Sequence, residues 1–365
     1  MSVGVGVIGA GVISDTYLAN LTGFPDLRVL RVADLVAERA AAQAAKHGVA
    51  GSGTVVELLV DPDIDIVVNL TIPAAHATVS AMALDAGKHV WQEKPLALDR
   101  DSARDLLAHA RALGLRVACA PDTVLGAGLQ TARRAIEAGR IGESLMGLAL
   151  FQSPGPESWH PSPQFLFQKG SGPLFDIGPY YVTELVHLFG PVRRVTAAGG
   201  RARDTRVIGS GPDAGTSFAV TVPTGVSALV EFERGGSAQL LLSFDSALSR
   251  AGMVEVTGTR GTAVVPDPNR FDGATTLHLL GEPEPLLLDP QGHNATRGVG
   301  VVDLARAVAA GTVERASGDL AFHTLDVMLC IDESLHRRTS VDSDSTVDVP
   351  PTLPHDWDPY ERTLD

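Results

Sequence analysis

The 365-residue chain carries 29 Lys and Arg against 43 Asp and Glu, a formal net charge of −14. With 44% hydrophobic and 20% charged residues it can fill sizeable cores, which excludes wholesale disorder, and its length suits about two domains. The acidity weighs against nucleic-acid partners, and no uncharged apolar run reaches the roughly 18 residues of a membrane span.

The apolar N-terminus lacks a basic flank and is interrupted by Gly9 and Gly11, so it reads as a strand rather than a signal peptide. Val3–Ile8 is β-like, Val12–Phe24 helical, Leu27–Ala33 apolar again, and Leu35–His47 a helix stopped by Gly48. Ile64–Leu70 is the next strand, then helix His76–Ala86, strand His89–Gln92, helix Asp99–Leu113 and strand Leu115–Ala120. Continuous apolar strands alternating with helices predict a doubly wound parallel sheet covered on both faces.

Past Pro121 the texture changes. Gly126–Gly139 reads as a helix, Glu143–Gln152 as a strand, Ser153–Gly172 as a long Pro-, Gly- and Ser-rich loop, and Pro173–Gly190 as a helix with Pro at its start. Thr216–Val222, Ser227–Glu233, Ala238–Phe244 and Met253–Thr257 alternate between tight turns, which predicts an antiparallel sheet. Thr296–Ala310 and Asp319–Arg338 return to helix, and the tail from Ser340 reads as loop, as do Gly51–Gly53 and Gly209–Gly215. The expected division is 1–121 and 122–365.

Three turns carry chemistry. Gly9-Ala10-Gly11-Val12-Ile13-Ser14 joins the first strand to the first helix, where bare backbone amides can approach a pyrophosphate. Asp34 follows Ser14 by twenty residues, the spacing of a carboxylate that accepts ribose hydroxyls and repels a 2′-phosphate, so NAD is expected over NADP. Arg39 could stack on an adenine or bind a 2′-phosphate. Thr71-Ile72-Pro73-Ala74-Ala75-His76 leaves the carboxyl end of the third apolar strand, where His76 could face a nicotinamide or cap the next helix. Glu93-Lys94-Pro95 leaves the same edge, and a lysine there can hold a substrate hydroxyl or move its proton.

In this order and spacing these residues resemble the Gfo/Idh/MocA oxidoreductases (glucose–fructose oxidoreductase, inositol dehydrogenase and relatives). Gly170-Ser171-Gly172-Pro173-Leu174-Phe175-Asp176-Ile177-Gly178 resembles that family's glycine-rich entry to its catalytic helix. The resemblance covers nearly the whole chain. It implies an N-terminal Rossmann domain, a C-terminal α+β domain with a mostly antiparallel open sheet, and an active site in the cleft between them. It also implies that Lys94 is the catalytic lysine, that the Lys94–Pro95 bond is cis, that Glu93 lies near the nicotinamide ribose, and that Asp176 binds substrate hydroxyls or tunes the proton relay. Through its open sheet it implies a homodimer or homotetramer.

Many members carry His four residues after the Asp, whereas this chain carries Tyr180, as a minority does. That spacing puts Asp176 and Tyr180 on one helix face, and a neighbouring Lys94 would lower the Tyr180 pKa and fit it as general acid–base. Thr183 stands where many members have a second Asp, and Glu184 and His187 read as structural. Trp159 and His160, in the long loop, are candidates to stack on a sugar face and touch a hydroxyl; Lys169 is a weaker anion partner. His47, His89, His109, His278, His323 and His336 show no metal-ligand spacing. Cys119 and Cys330 read as buried apolar thiols, Trp91 as strand core, and the absence of a disulfide framework suits the cytosol.

The expected function is NAD-dependent oxidation or reduction of a secondary hydroxyl on a sugar, polyol or glycoside. Two alternatives use the same parts: an oxidative glycosidase with net hydrolysis, and a non-catalytic NAD-binding sensor.

Overall fold

The computed structural model describes residues 2–364 and divides into two compact units. The first takes the chain up to Ala127, then Gln291–Leu325 and the segment from Pro350. Its sheet is wholly parallel, with strands β1 (Val3–Ile8), β2 (Leu27–Ala33), β3 (Gly51–Gly53), β4 (Ile66–Asn69), β5 (His89–Gln92) and β6 (Val117–Cys119) in the order β3-β2-β1-β4-β5-β6. Every residue of β4 and β6 is buried, as expected of strands covered on both faces. The order reverses between β1 and β4, and a crevice at their carboxyl ends is where such sheets take ligands.

Helices α1 (Val12–Leu21), α2 (Ala37–His47), α3 (Val55–Leu59), α4 (His76–Asp85) and α5 (Arg100–Ala112) connect the strands. Gly51–Gly53 is an edge strand, not the loop its composition suggests. A side chain on Gly51 would come within 2.6 Å of the Leu30 carbonyl oxygen, so close backbone approach, rather than turn geometry, calls for glycine there.

The sequence places everything from 122 onward in the second domain; the structure differs. Helix Val299–Ala310 packs on the first sheet, with Gly300 so close to Trp91 that a side chain there would overlap the indole. The Gly298 amide donates to Asp122 at 2.7 Å, the Cys119 amide to Ala316 at 3.0 Å, and Arg306 pairs with the buried Asp26. An apolar helix pattern states that a face will be buried but not against what.

The second unit comprises Gly128–Pro290 and Asp326–Val349. Strands β7 (Ser144–Gln152), β8 (Val192–Gly200), β9 (Thr205–Val207), β10 (Ser217–Ala219), β11 (Gly225–Phe232), β12 (Ser237–Ser243), β13 (Arg250–Gly258), β14 (Gly261–Val265), β15 (Thr275–Leu279), β16 (Leu286–Leu288) and β17 (Val341–Asp342) follow in the chain. Nine of them form one sheet in the order β16-β15-β14-β13-β7-β12-β11-β8-β17. All its pairings are antiparallel except β7 with β12. β9 and β10 stand apart as a hairpin, and part of the tail read as loop supplies the edge strand β17.

The helix expected over 173–190 is two, Gly172–Asp176 and Gly178–Phe189, parted at Ile177 (φ −99°). Pro179 has no amide to donate into the preceding turn. Asp176 and Tyr180 therefore sit on consecutive helices, not on one uninterrupted face. All twelve residues of the second helix are buried.

Candidate cofactor site and acid–base residues

The turn after β1 is built for close approach. Gly9 has φ +104°, and a side chain on it would meet the Leu70 carbonyl oxygen at 2.7 Å, so the fold itself demands glycine. Gly11, the N-cap of α1, has an ordinary φ of −80°, and a side chain on it would meet nothing within 4 Å. Packing does not explain that glycine; open space over a helix N-terminus, of the kind a pyrophosphate occupies, does. Ser14 is buried and returns its hydroxyl to the Gly11 carbonyl at 2.6 Å.

Asp34, at the end of β2, holds this turn. One carboxylate oxygen accepts the Ala10 amide at 2.7 Å and the other the Val36 amide at 2.9 Å, and each keeps a lone pair for a ribose hydroxyl. Val12 is 95% and Leu35 98% exposed, with Ile72 also exposed, so apolar side chains stand in solvent at the carboxyl edge of the sheet. Arg39 is exposed on the first turn of α2. These residues fit a dinucleotide cofactor.

Glu93 and Lys94, both half-buried, leave β5 beside them, and the Lys94–Pro95 bond is cis. Glu93 accepts the Tyr17 hydroxyl at 2.8 Å, which in turn accepts the Trp91 indole N–H at 3.2 Å. Behind the turn runs a buried polar network. Gln92 donates to the Pro95 and Leu96 carbonyls at 3.2 and 2.7 Å and accepts Ser80 at 2.6 Å. Asn69 donates to Ser80 and to the His76 carbonyl, both at 3.0 Å, and accepts Thr71 Oγ1 at 2.6 Å.

His76 is 1% exposed and its two ring nitrogens face backbone carbonyls, Nδ1 at 2.7 Å from Pro95 and Nε2 at 3.0 Å from Thr71. Both ring nitrogens are thus turned to backbone carbonyls; of the two readings open from sequence, a nicotinamide neighbour or a helix cap, the cap is not made, since α4 has no side-chain cap. Burial holds its pKa below the usual histidine value, against the pull of the two carbonyls and Glu93.

In the second unit Asp176 is half-buried and Tyr180 buried. Ile177, between their helices, packs on a cluster of Leu166, Phe167, Val220 and Phe244 at the base of the long loop. Arg206, on β9, is the polar centre of that base. Its guanidinium donates to the Pro154 and Phe244 carbonyls at 3.0 and 2.9 Å, pairs with Glu157 and Asp245, and lies 4.9 Å from the Phe167 ring centroid. On this anchored loop Trp159 is 67% exposed and touches His160 edge-to-face, as does the exposed Phe165, at 5.5 and 5.4 Å between centroids. Lys169 is exposed.

Glu184 and His187 are buried on the second of the two helices, and Glu184 Oε1 and His187 Nε2 have no hydrogen-bond partner. Burial pushes Glu184 up to about 8 and His187 down to about 3, so both are neutral at pH 7. Asp122, buried beneath the helix at Val299, is pushed up to about 6 by burial.

Sequence reading missed Tyr17, Gln92, Asn69 and Arg206. A polar residue inside an apolar strand, as at Asn69 and Gln92, is the signal that could have marked two of them. Among the described residues no group of three or more His, Cys, Asp or Glu is placed to hold a metal ion, and no helix is long and apolar enough to cross a membrane. Both cysteines are buried free thiols.

Residues 3–120 match the model of an oxidoreductase family with an NAD-binding Rossmann fold, and residues 129–264 match the GFO/IDH/MocA C-terminal domain. The chain is 29% identical over 265 residues to 1,5-anhydro-D-fructose reductase of Ensifer adhaerens, covering 71% of this chain and 74% of the relative. It is 27% identical over 302 residues to trans-1,2-dihydrobenzene-1,2-diol dehydrogenase of Bos taurus, covering 81% and 84%. A levoglucosan dehydrogenase solved with NADH and levoglucosan superposes with a TM-score of 0.82 at 21% identity, over 94% of this chain and all of that one, a likeness of fold.

Proposed function

The chain belongs to the Gfo/Idh/MocA oxidoreductase family, and from that premise we propose that it moves hydride between NAD and a secondary hydroxyl of a sugar, polyol or glycoside. The open cradle at Gly11 beside the anchored Asp34 carboxylate carries this reading. A carboxylate there accepts both ribose hydroxyls and repels a 2′-phosphate, which favours NAD over NADP. The names of the relatives, an anhydrofructose reductase and a dihydrobenzenediol dehydrogenase, support a hydroxyl-bearing substrate.

When bound, the nicotinamide accepts or donates the hydride. The rest is the work of side chains. Lys94, as the neutral amine, is one candidate to take the proton of the substrate hydroxyl and, in the reverse direction, to return it as the ammonium; Tyr180 of the second unit, as the phenolate, is the other. Asp176 accepts a neighbouring hydroxyl and so fixes which carbon reacts. Trp159 offers a ring face to the apolar side of a sugar, and His160 a polar edge.

Outward along the second sheet, Met146, Leu148, Leu150, Leu229 and Leu241 lie on one face and none is fully buried. A second copy of the chain is the proposed cover, giving a homodimer or homotetramer. The test of the whole reading is an NAD⁺-linked turnover assay over sugars, polyols and glycosides. Lys94→Ala is expected to retain NADH binding and lose turnover; an unaltered rate would remove Lys94 from the chemistry.

A further inference from the structure

We infer that His76 is a positioning residue: by holding the Pro95 carbonyl it aims the Lys94 side chain. The inference rests on the reading of Lys94 as acid–base.

The Glu93 amide ties the start of the turn to the Asn69 carbonyl at 3.0 Å, but Pro95 has no amide to donate, so past Lys94 the turn is held at Pro95 through its carbonyl. The Pro95 oxygen receives two donors from outside the turn, His76 Nδ1 at 2.7 Å from α4 and Gln92 Nε2 at 3.2 Å from β5. The far side of the same ring reaches Thr71 at 3.0 Å, and Thr71 is tied through Asn69 back to Ser80 and Gln92. One imidazole thus bridges the loops that leave two neighbouring strands, β4 and β5. Carbonyl oxygens accept only, so a ring with one proton satisfies one of them. With that proton on Nδ1, the tautomer the inference requires, the ring holds the Lys94–Pro95 turn. The imidazolium would hold both carbonyls; Glu93 favours it, while burial and the Lys94 charge oppose it. The turn is therefore held at neutral pH, and the Thr71 loop is held as well on acidification.

The test compares His76→Ala and His76→Gln with the wild-type chain. Lys94 acetylation by acetic anhydride is followed by peptide mass spectrometry, with the exposed Lys46 and Lys169 as internal controls. NADH affinity and, once a substrate is in hand, kcat and KM are measured on the same proteins. The expected result for His76→Ala is a Lys94 labelling rate altered about threefold or more against the controls, NADH affinity within about twofold, and kcat down about tenfold with KM little changed. His76→Gln, which keeps a donor, restores part of both effects, and it carries the comparison if the alanine variant does not fold. Labelling and kcat equal to wild type would overturn the inference. So would a fall in NADH affinity with Lys94 labelling unchanged, which would make His76 a cofactor residue. If no substrate is turned over, the proposed function fails, but the labelling and NADH arms still decide the role of His76.

Discussion

The Asp34 carboxylate accepts the Ala10 amide at 2.7 Å, joining the end of β2 to the glycine turn after β1. The acid is thereby fixed before any ligand arrives, so none of its binding strength is spent on ordering it. Asp34→Ala is expected to weaken NADH binding by about 10–100-fold, about 1.4–2.8 kcal/mol, and to narrow the preference over NADPH. Fluorescence titration with both cofactors checks this; equal loss for the two would mean that Asp34 shapes the turn without reading the ribose.

Gly9 and Gly11 separate folding from binding. Gly9→Ala forces a side chain against the Leu70 carbonyl at φ +104° and is expected to cost about 2–4 kcal/mol of stability. Gly11→Ala adds a methyl in open space, so its melting temperature stays near wild type while NADH binding falls. Thermal unfolding with and without NADH tests the pair, since a bound ligand raises the transition. Unimpaired NADH stabilisation in Gly11→Ala would show that the cradle lies elsewhere.

Much of this was legible because local pattern and burial agree. Buried apolar runs such as Ile66–Asn69 can be read without knowing their partners, and the glycine turn and Asp34 lie within a single βαβ unit. The illegible parts depend on distant partners. Arg206 meets Glu157 across 49 residues, and Tyr17 meets Glu93 across 76. Gly51 looks like loop because its reason for being glycine is the Leu30 carbonyl on another strand. His76 follows a strand at the ligand-binding edge, so sequence could place it near a cofactor but could not show that its ring turns inward.

Glu184 and His187 give the second unit opposing pH limbs. Glu184 titrates near 8 when folded against about 4.5 for a free carboxyl, so its stabilising contribution is full below 4.5 and is lost as pH rises through 8. His187 titrates near 3 against 6.5, so its contribution is present above 6.5 and is lost as pH falls toward 3. Glu184→Gln is expected to stabilise the protein by roughly 1–4 kcal/mol at pH 8 and by far less at pH 5. Urea unfolding at the two pH values checks this; an equal effect at both would mean that the carboxyl does not titrate in the fold.

Arg206 neutralises two carboxylates at the base of the Trp159 loop. Arg206→Met keeps the volume but strands Glu157 and Asp245, at a cost of about 3–5 kcal/mol. The loop should open to limited proteolysis between Pro154 and Phe167, and substrate KM should rise. If the loop stays protected, the Leu166–Phe167–Phe244 cluster suffices to hold it.

The most direct test mixes purified protein, excess NAD⁺ and a panel of sugars, polyols and glycosides, with NADH absorbance and released products followed in the same wells. NADH accumulating with one substrate, in step with its oxidised product and absent in Lys94→Ala, is the predicted result. Cleavage of a glycoside that requires NAD⁺ while NADH stays flat would contradict it, making the net reaction hydrolysis rather than redox.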